Sequence, residues 1–485
     1  MDLSHREKLK KELQISEDLL PTKQEERTWK AGNFASIWMG SVHHVPAYAS
    51  IGGFFVLGLS AIQVFWVIMV AAAILAFVLI INGHAGAKYG IPYSMLLKTS
   101  YGIKGAVLPG LLRGCIAAVM WFGLQTYAGS TAVTILISKF WPAYLQLGRD
   151  FRFFGIDLPG LISFTIFWII NVLFIFGGIN ILGKFTKILS LLIYIVFGGM
   201  AIWAIKLAGG IGPILDYTGK GIEGNSALVF MGCVTAILAT WAAPITNVSD
   251  FTREARTAKD QIVGQSLGIV ITYILFAIAS ISIVVGSEIA FGTPIWNVLD
   301  VVDRFDSNFA VTLSIVTICL TTLSSNVTAN IFPAGYQLAA LFPKKLNFQT
   351  GGLITAILAF IIMPWKLMEN STSIFTFLGI IGGLLGPVIG VMLADYFIIR
   401  KKELNLIELY SEDGQYFYKN GFNPSAYIAT IVAGGIALIG QFVPFFKPLY
   451  DVSWFVGTFT AFSLYIILMK RTKKASEKSI QTKVG

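Results

Sequence analysis

Long apolar runs separated by short polar stretches repeat along the chain from about residue 33 to residue 470. Segment 61–81, AIQVFWVIMVAAAILAFVLII, carries no charge over twenty-one positions. That is enough for a helix to cross the roughly 30 Å hydrocarbon core of a bilayer. Comparable runs lie near 33–57, 60–82, 105–137, 159–180, 182–208, 226–249, 261–287, 308–341, 351–368, 373–398, 424–446 and 449–470. A transmembrane barrel would show short alternating strands in place of these continuous runs. The pattern therefore predicts an all-α membrane protein of about twelve transmembrane helices. It forms a single transmembrane domain over 31–470, with cytosolic tails at 1–30 and 471–485. The longest stretch outside the membrane within that domain is about 400–423, so no soluble domain is inserted.

Two of the spans carry helix breakers in their middles. Span one reads WMGSVHHVPAYASIGG, with Gly40, Pro46 and the Gly52–Gly53 pair; span six reads ATWAAPITNVSDF, with Pro244 among small polar residues. Proline removes a backbone donor and clashes with the preceding turn, so both helices are expected to unwind locally. Breaks in the first helix of each of two five-span halves predict an inverted repeat, with the binding site at the breaks and two spans appended. Proline and glycine also kink membrane helices with no such role. In span ten, GIIGGLLGPVIGVMLADY, the glycines at 379, 383 and 386 are spaced for close helix packing.

Composition agrees: 55% of residues are hydrophobic and 13% charged, against roughly 25% charged in soluble domains. The net charge of +10 would suggest a nucleic-acid partner until it is placed along the chain. With the N-terminus in the cytoplasm, 27 Lys and Arg fall on the cytoplasmic side and eight opposite, with Arg113 near the start of span three. That bias is the positive-inside rule. It predicts a multi-pass protein of the inner (plasma) membrane with both termini cytoplasmic and no nucleic-acid role. Cys115, Cys233 and Cys319 all fall within spans, which gives neither a disulfide framework nor metal-ligand spacing. The opening MDLSHREKLKKELQ lacks the apolar core of a signal peptide and reads, like KASEKSIQTKVG at the other end, as a mobile tail.

Every acidic residue lies in a tail, a loop or a span end, the innermost being Asp250, Glu369 and Asp395. No Lys or Arg is expected at mid-membrane either. The deep polar groups are neutral: Trp121, Gln125, Thr240, Trp241, Asn247, Ser324, Ser325, Asn326, Asn330 and the pair His43–His44. A charged solute would be unpaired there at heavy cost, whereas indoles can sandwich a flat ring and carboxamides can read an amide edge. In MWFGLQTYAG, Trp121 and Gln125 stand four residues apart, hence on one helical face. Taken singly, each is better explained by packing or an interhelical hydrogen bond. Beside Trp241 at a break, they point to a site for a small, flat, neutral, amide-rich ligand. Ser324 and Ser325, with carbonyls freed near Gly40 and His43, can form a Na⁺ site, or simply knit helices together. His43 and His44 can carry a proton instead, with at most one facing the ligand. His84, near the end of span two, reads as structural.

The blocks NFASIWMGSVHHVPAYAS, INGHAGAKYGIPYSMLLKTSYGIKGAVLPGLLRG, MWFGLQTYAGS, WAAPITNVSDFTR, SSNVTANIFPAGY, PWKLMEN and ADYFIIRKKELN resemble the nucleobase-cation-symport-1 family. The resemblance runs from about Thr28 to Lys470 and is strongest to the bacterial allantoin permeases, through NGHAGAKYG, SWFVG and GGLLGPVIGVMLADYFIIR. It implies a leucine-transporter-like five-plus-five inverted repeat. It implies substrate contacts from Trp121, Gln125, Thr240, Trp241, Asn330 and His44. It places a cation on the backbone carbonyls of Gly40, His43 and Thr321 and the hydroxyls of Ser324 and Ser325. Two positions bear on specificity. His44 stands where the family pattern has a neutral amide such as Asn or Gln, and both span-eight hydroxyls are kept although not every allantoin-branch member keeps them.

The expectation is a secondary active transporter, not an enzyme, importing allantoin or a related neutral ureide by cation symport with alternating access. The coupling ion is Na⁺ or a proton, with no other cofactor, and the partners are the small heterocycle and the lipid bilayer. Uracil, cytosine, a purine or a hydantoin offers a similar flat ring and edge. A membrane enzyme would need a metal cluster or acid/base pair, and a channel a continuous polar lining. A non-transporting nutrient sensor would share the same residues.

Overall fold

The computed structural model describes residues 19–484 apart from 178, 293–294, 296, 343–344 and 412–413, and only the backbone of 177, 179–190, 340 and 473–484. Residues 1–18 of the predicted tail, Lys344, and the side chains of Lys184, Lys187 and of the C-terminal tail from 473 onward lie outside the described residues.

Among the described residues, eight helices are long and apolar enough to cross a membrane, and four shorter apolar helices fall on the remaining predicted spans. Span two, Ala61–Tyr89, shows how local chemistry sets the ends. Ser60 accepts from the Gln63 amide at 3.3 Å while the Gln63 side chain accepts from the Ser60 amide at 2.9 Å. This reciprocal cap satisfies two otherwise unpaired donors. The far end stops at Gly90, whose φ of +71° is open to glycine and strained for other residues. Ile62, Trp66 and Phe77 lie on one exposed face of this span, as a lipid-facing stripe requires.

The packing separates two groups. Spans one, two, six and seven contact one another, with Ala258–Phe291 (span seven) against both Ala61–Tyr89 and Ala31–Ser41. Spans three, four, eight and nine form the second group, with Ala118–Phe140 against Leu158–Gly177, Asn308–Asn326 and Phe348–Ile361. Each group takes the same members from both halves of the chain, which is what an inverted repeat does. The halves match in their irregularities too. Their first helices are broken, and their third helices each carry a π-bulge, at Leu112–Ala117 and Val327–Ile331.

Span ten, Ser371–Leu393, is the most buried of the eight and packs on spans six, eleven and twelve. A Cβ at Gly386 would stand 2.9 Å from the Trp454 carbonyl, so only glycine lets the two backbones approach. The span-ten glycines are packing residues. Outside the helices, Arg152–Phe153 pairs antiparallel with Ile156–Asp157. The described end of the N-terminal tail is fastened to the body. Trp29 donates to the Glu254 carbonyl at 3.0 Å and accepts from the Arg256 amide at 2.9 Å, and Arg27 Nη1 donates to the Ala87 carbonyl at 3.0 Å.

Candidate functional site

The break in span one separates Ala31–Ser41 from Val45–Val56. His44, at φ −140° and ψ 154°, is extended and caps the second half: its Nδ1 accepts from the Ala47 amide at 3.3 Å. Pro46 occupies the first turn of that half, where a missing N–H leaves no hydrogen bond unmade. The break in span six follows Ser226–Thr240, with Trp241 at φ −98° and ψ −1° leading into the short helix Ala242–Thr246.

A cavity with about 1170 Å³ of empty space, its open mouth included, lies between the two breaks and spans three and eight. It is lined by Gly40 and His44 from span one, Trp121 and Gln125 from span three, Thr240 and Trp241 from span six, and Ser324, Ser325 and Asn330 from span eight. All six residues expected to hold substrate thus meet in one cavity, together with three of the five expected to hold a cation.

His43 and Thr321, expected to reach the cation through their backbone carbonyls, turn their side chains to other partners. His43 Nδ1 is 2.9 Å from the Tyr48 hydroxyl, and its ring is enclosed by Tyr194, Phe197 and Phe276. Thr321 Oγ1 donates to the Ile318 carbonyl of its own helix at 3.1 Å. Neither side chain lines the cavity.

The aromatic walls are held by other rings. Trp121 stands edge-on to Phe377 at 4.8 Å and to His44 at 6.3 Å. Trp241 is edge-on to Trp38 at 5.5 Å, and its Nε1 donates to the Tyr273 hydroxyl at 2.5 Å. Within the site, Trp121 Nε1 and Gln125 Oε1 are buried with no hydrogen-bond partner among the described residues. Leaving such a group unpaired costs about 1–3 kcal/mol, so two side chains one turn apart on the cavity wall carry an unpaired donor and an unpaired acceptor. Asn330 Nδ2 donates to Asn326 Oδ1 at 2.9 Å, while Asn326 Nδ2 reaches Thr126 and Asn171, each at 3.1 Å. Asn326 therefore braces Asn330 from behind.

The expectation that no cation sits at mid-membrane is overturned by Arg113, which is 2% exposed and lines the cavity. Span three begins at Val107, close to the predicted 105, so position 113 is more than a turn inside the helix, and one feature missed in the sequence anchors its side chain there. Pro333 has no N–H for the carbonyl four residues back, that of Ala329, and Arg113 Nη2 takes that carbonyl at 3.1 Å. A lone Arg inside an apolar run, together with the proline in NIFPAGY, was the available signal. Trp38 and Tyr273, which hold Trp241, carried no comparable mark.

Residues 21–457 match the family model described as permease for cytosine/purines, uracil, thiamine, allantoin. The chain belongs to this permease family. It is 52% identical to the putative allantoin permease of Escherichia coli strain K12, over 99% of this chain and 100% of that one. It is 49% identical to the allantoin permease of Bacillus subtilis strain 168, over 95% and 94% of the two chains. Among solved structures it resembles Mhp1, a nucleobase-cation-symport-1 family transporter. The TM-score is 0.79 at 21% identity to the inward-facing conformation, covering 95% of this chain and 94% of that one. It is 0.75 at 24% identity to the closed conformation with bromovinylhydantoin bound, covering 95% and 96%. These likenesses establish the fold class: an all-helical membrane protein of the leucine-transporter-like fold. The family member is a multi-pass membrane permease and not an enzyme.

Proposed function

We propose that this permease is a secondary active transporter that imports allantoin, or a closely related neutral ureide, by cation symport. The observation that carries the reading is the unpaired couple, Trp121 Nε1 and Gln125 Oε1, in the cavity between the two broken helices. A ureide ring stacks against the indoles, offers a carbonyl to the Trp121 donor and an N–H to the Gln125 acceptor, and needs no counter-charge. Two relatives named for allantoin, matched over nearly their full length, support that substrate. Positive-inside charge bias supports a plasma-membrane protein with both termini cytoplasmic. For the cation, Ser324 and Ser325 line the cavity opposite Gly40 of the broken span one, which supports Na⁺ over a proton. Rocking of spans one, two, six and seven against the other group then exposes the site to each side in turn.

Hydantoins and nucleobases present the same flat edge, so competition decides among them. The test is radiolabelled allantoin uptake into cells expressing the chain, with excess unlabelled uracil, cytosine, hydantoin or hypoxanthine. Saturable uptake reduced only by ureides and hydantoins is expected. No allantoin uptake, with a competitor carried instead, would overturn the substrate and leave the fold intact.

A further inference from the structure

The guanidinium of Arg113 has a free donor that ring stacking does not use. Its Nε is engaged by the Ala243 carbonyl at 2.9 Å and by Asn247 Oδ1 at 3.2 Å, and its Nη2 by the Ala329 carbonyl at 3.1 Å. Nη1 is buried with no partner among the described residues. The side chain is thus fixed on both sides, to the break of span six and to the bulge of span eight, with both N–H groups of Nη1 unpaired in a residue that lines the cavity. Arginine cannot relieve this by losing its proton. Asp250 makes no hydrogen bond to it; its two oxygens accept from the Tyr93 amide at 2.7 Å and from Asn247 Nδ2 at 3.1 Å. An unpaired buried donor on a charged group is costlier than a neutral one. The group that satisfies it must be an acceptor, a carbonyl or carboxylate oxygen.

Arg113 precedes Trp121 by eight residues on span three, and its guanidinium is anchored beside the ring site, on the carbonyls of Ala243, two residues past Trp241, and Ala329, next to Asn330. In the proposed pose Trp121 and Gln125 take the ring's own carbonyl and N–H, which leaves an arm on the ring for Nη1. We propose that Arg113 is a specificity-determining residue: Nη1 takes the acceptor oxygen of an arm on the stacked ring, which selects rings bearing a ureido or similar arm over bare rings. This rests on the ureide reading of the site and goes further, since the indoles and Gln125 alone cannot tell a bare hydantoin from one with a 5-ureido arm.

The discriminating experiment measures binding to the purified full chain by tryptophan fluorescence, with three ligands sharing one ring. These are hydantoin (no arm), 5-propylhydantoin (an arm without an acceptor) and allantoin (a ureido arm). The wild type is expected to bind allantoin roughly tenfold or more tightly than either of the others, the scale of leaving a buried donor unpaired. In R113Q the ratio of allantoin to hydantoin affinity should collapse toward one, with R113K between, because an ammonium keeps the charge and loses the fork. The ratio does not depend on how much protein folds, and the wild-type ligand series decides the matter even if R113Q is lost. Equal binding of allantoin and 5-propylhydantoin by the wild type, or an undiminished ratio in R113Q, overturns the role of Arg113 alone. Binding of none of the three overturns the ureide reading and this proposal with it.

Discussion

His44 Nδ1 accepts the backbone N–H of Ala47, so the imidazole that stands edge-on to Trp121 is also the cap of the second half of span one. The cap fixes the tautomer of the neutral ring, leaving Nε2–H as the donor. It also means that protonation of His44 would remove the acceptor that starts the helix. His44→Asn keeps a good cap, restores a two-point amide edge and removes the titration. Wild-type protein levels with a flatter pH profile of uptake are expected; an unchanged profile clears His44 of titrating on the transport path. His44→Ala should lose about 1 kcal/mol of cap.

Trp121→Ala removes a wall of the cavity and an unpaired donor together. Aromatic pairing is worth about 0.5–1.5 kcal/mol beyond the buried area, so loss of saturable uptake is expected while the protein remains folded in the membrane. Normal uptake by a variant that reaches the membrane would remove the stacking role. Trp121→Phe, which keeps a ring and loses Nε1, separates stacking from the hydrogen bond.

How far the sequence carried this picture depends on the kind of signal. The spans were legible because twenty-odd apolar residues leave few alternatives, and the breaks were legible because Pro46 and Pro244 mark them. Trp121 and Gln125 were legible because a spacing of four fixes a shared face. Arg113 was misplaced, because a π-bulge leaves no residue-type signature and because the carbonyl that Pro333 frees on Ala329 matters only once span three lies alongside span eight. Tyr273 was invisible for the same reason: its partner, Trp241, is 32 positions away, on another span.

That contact yields its own prediction. Tyr273→Phe leaves the Trp241 indole N–H without its acceptor, a cost of about 1–3 kcal/mol. The ring is then free to leave the pose it holds beside Trp38. Raised half-saturation for uptake and an altered tryptophan emission spectrum are expected. Both unchanged would mean that packing against Trp38 alone positions Trp241.

Ser325→Ala tests the coupling ion. Among the described residues the hydroxyls of Ser324 and Ser325 make no hydrogen bond, and both side chains line the cavity, so they are available to an ion. Uptake by the variant is expected to need several-fold more Na⁺ for half-maximal rate. An ion dependence matching the wild type assigns the hydroxyls to helix contact.

Asn326 separates bracing from binding. Its Nδ2 donates to Thr126 and Asn171, on spans three and four, and its Oδ1 receives Asn330 from one turn on. Single polar contacts between membrane helices average only about 0.6 kcal/mol, but Asn326→Ala would leave Asn171 Oδ1 and Asn330 Nδ2 both unpaired. A stability loss of about 1–3 kcal/mol follows, read as a lower melting temperature in detergent. Asn330 would at the same time lose the partner that orients its amide at the cavity wall, so half-saturation should rise several-fold. Asn326→Asp should be worse than Ala for stability, since it removes the donor and buries a charge. If melting falls in Asn326→Ala and substrate affinity does not, Asn330 holds its pose unaided and Asn326 is a brace between helices and nothing more.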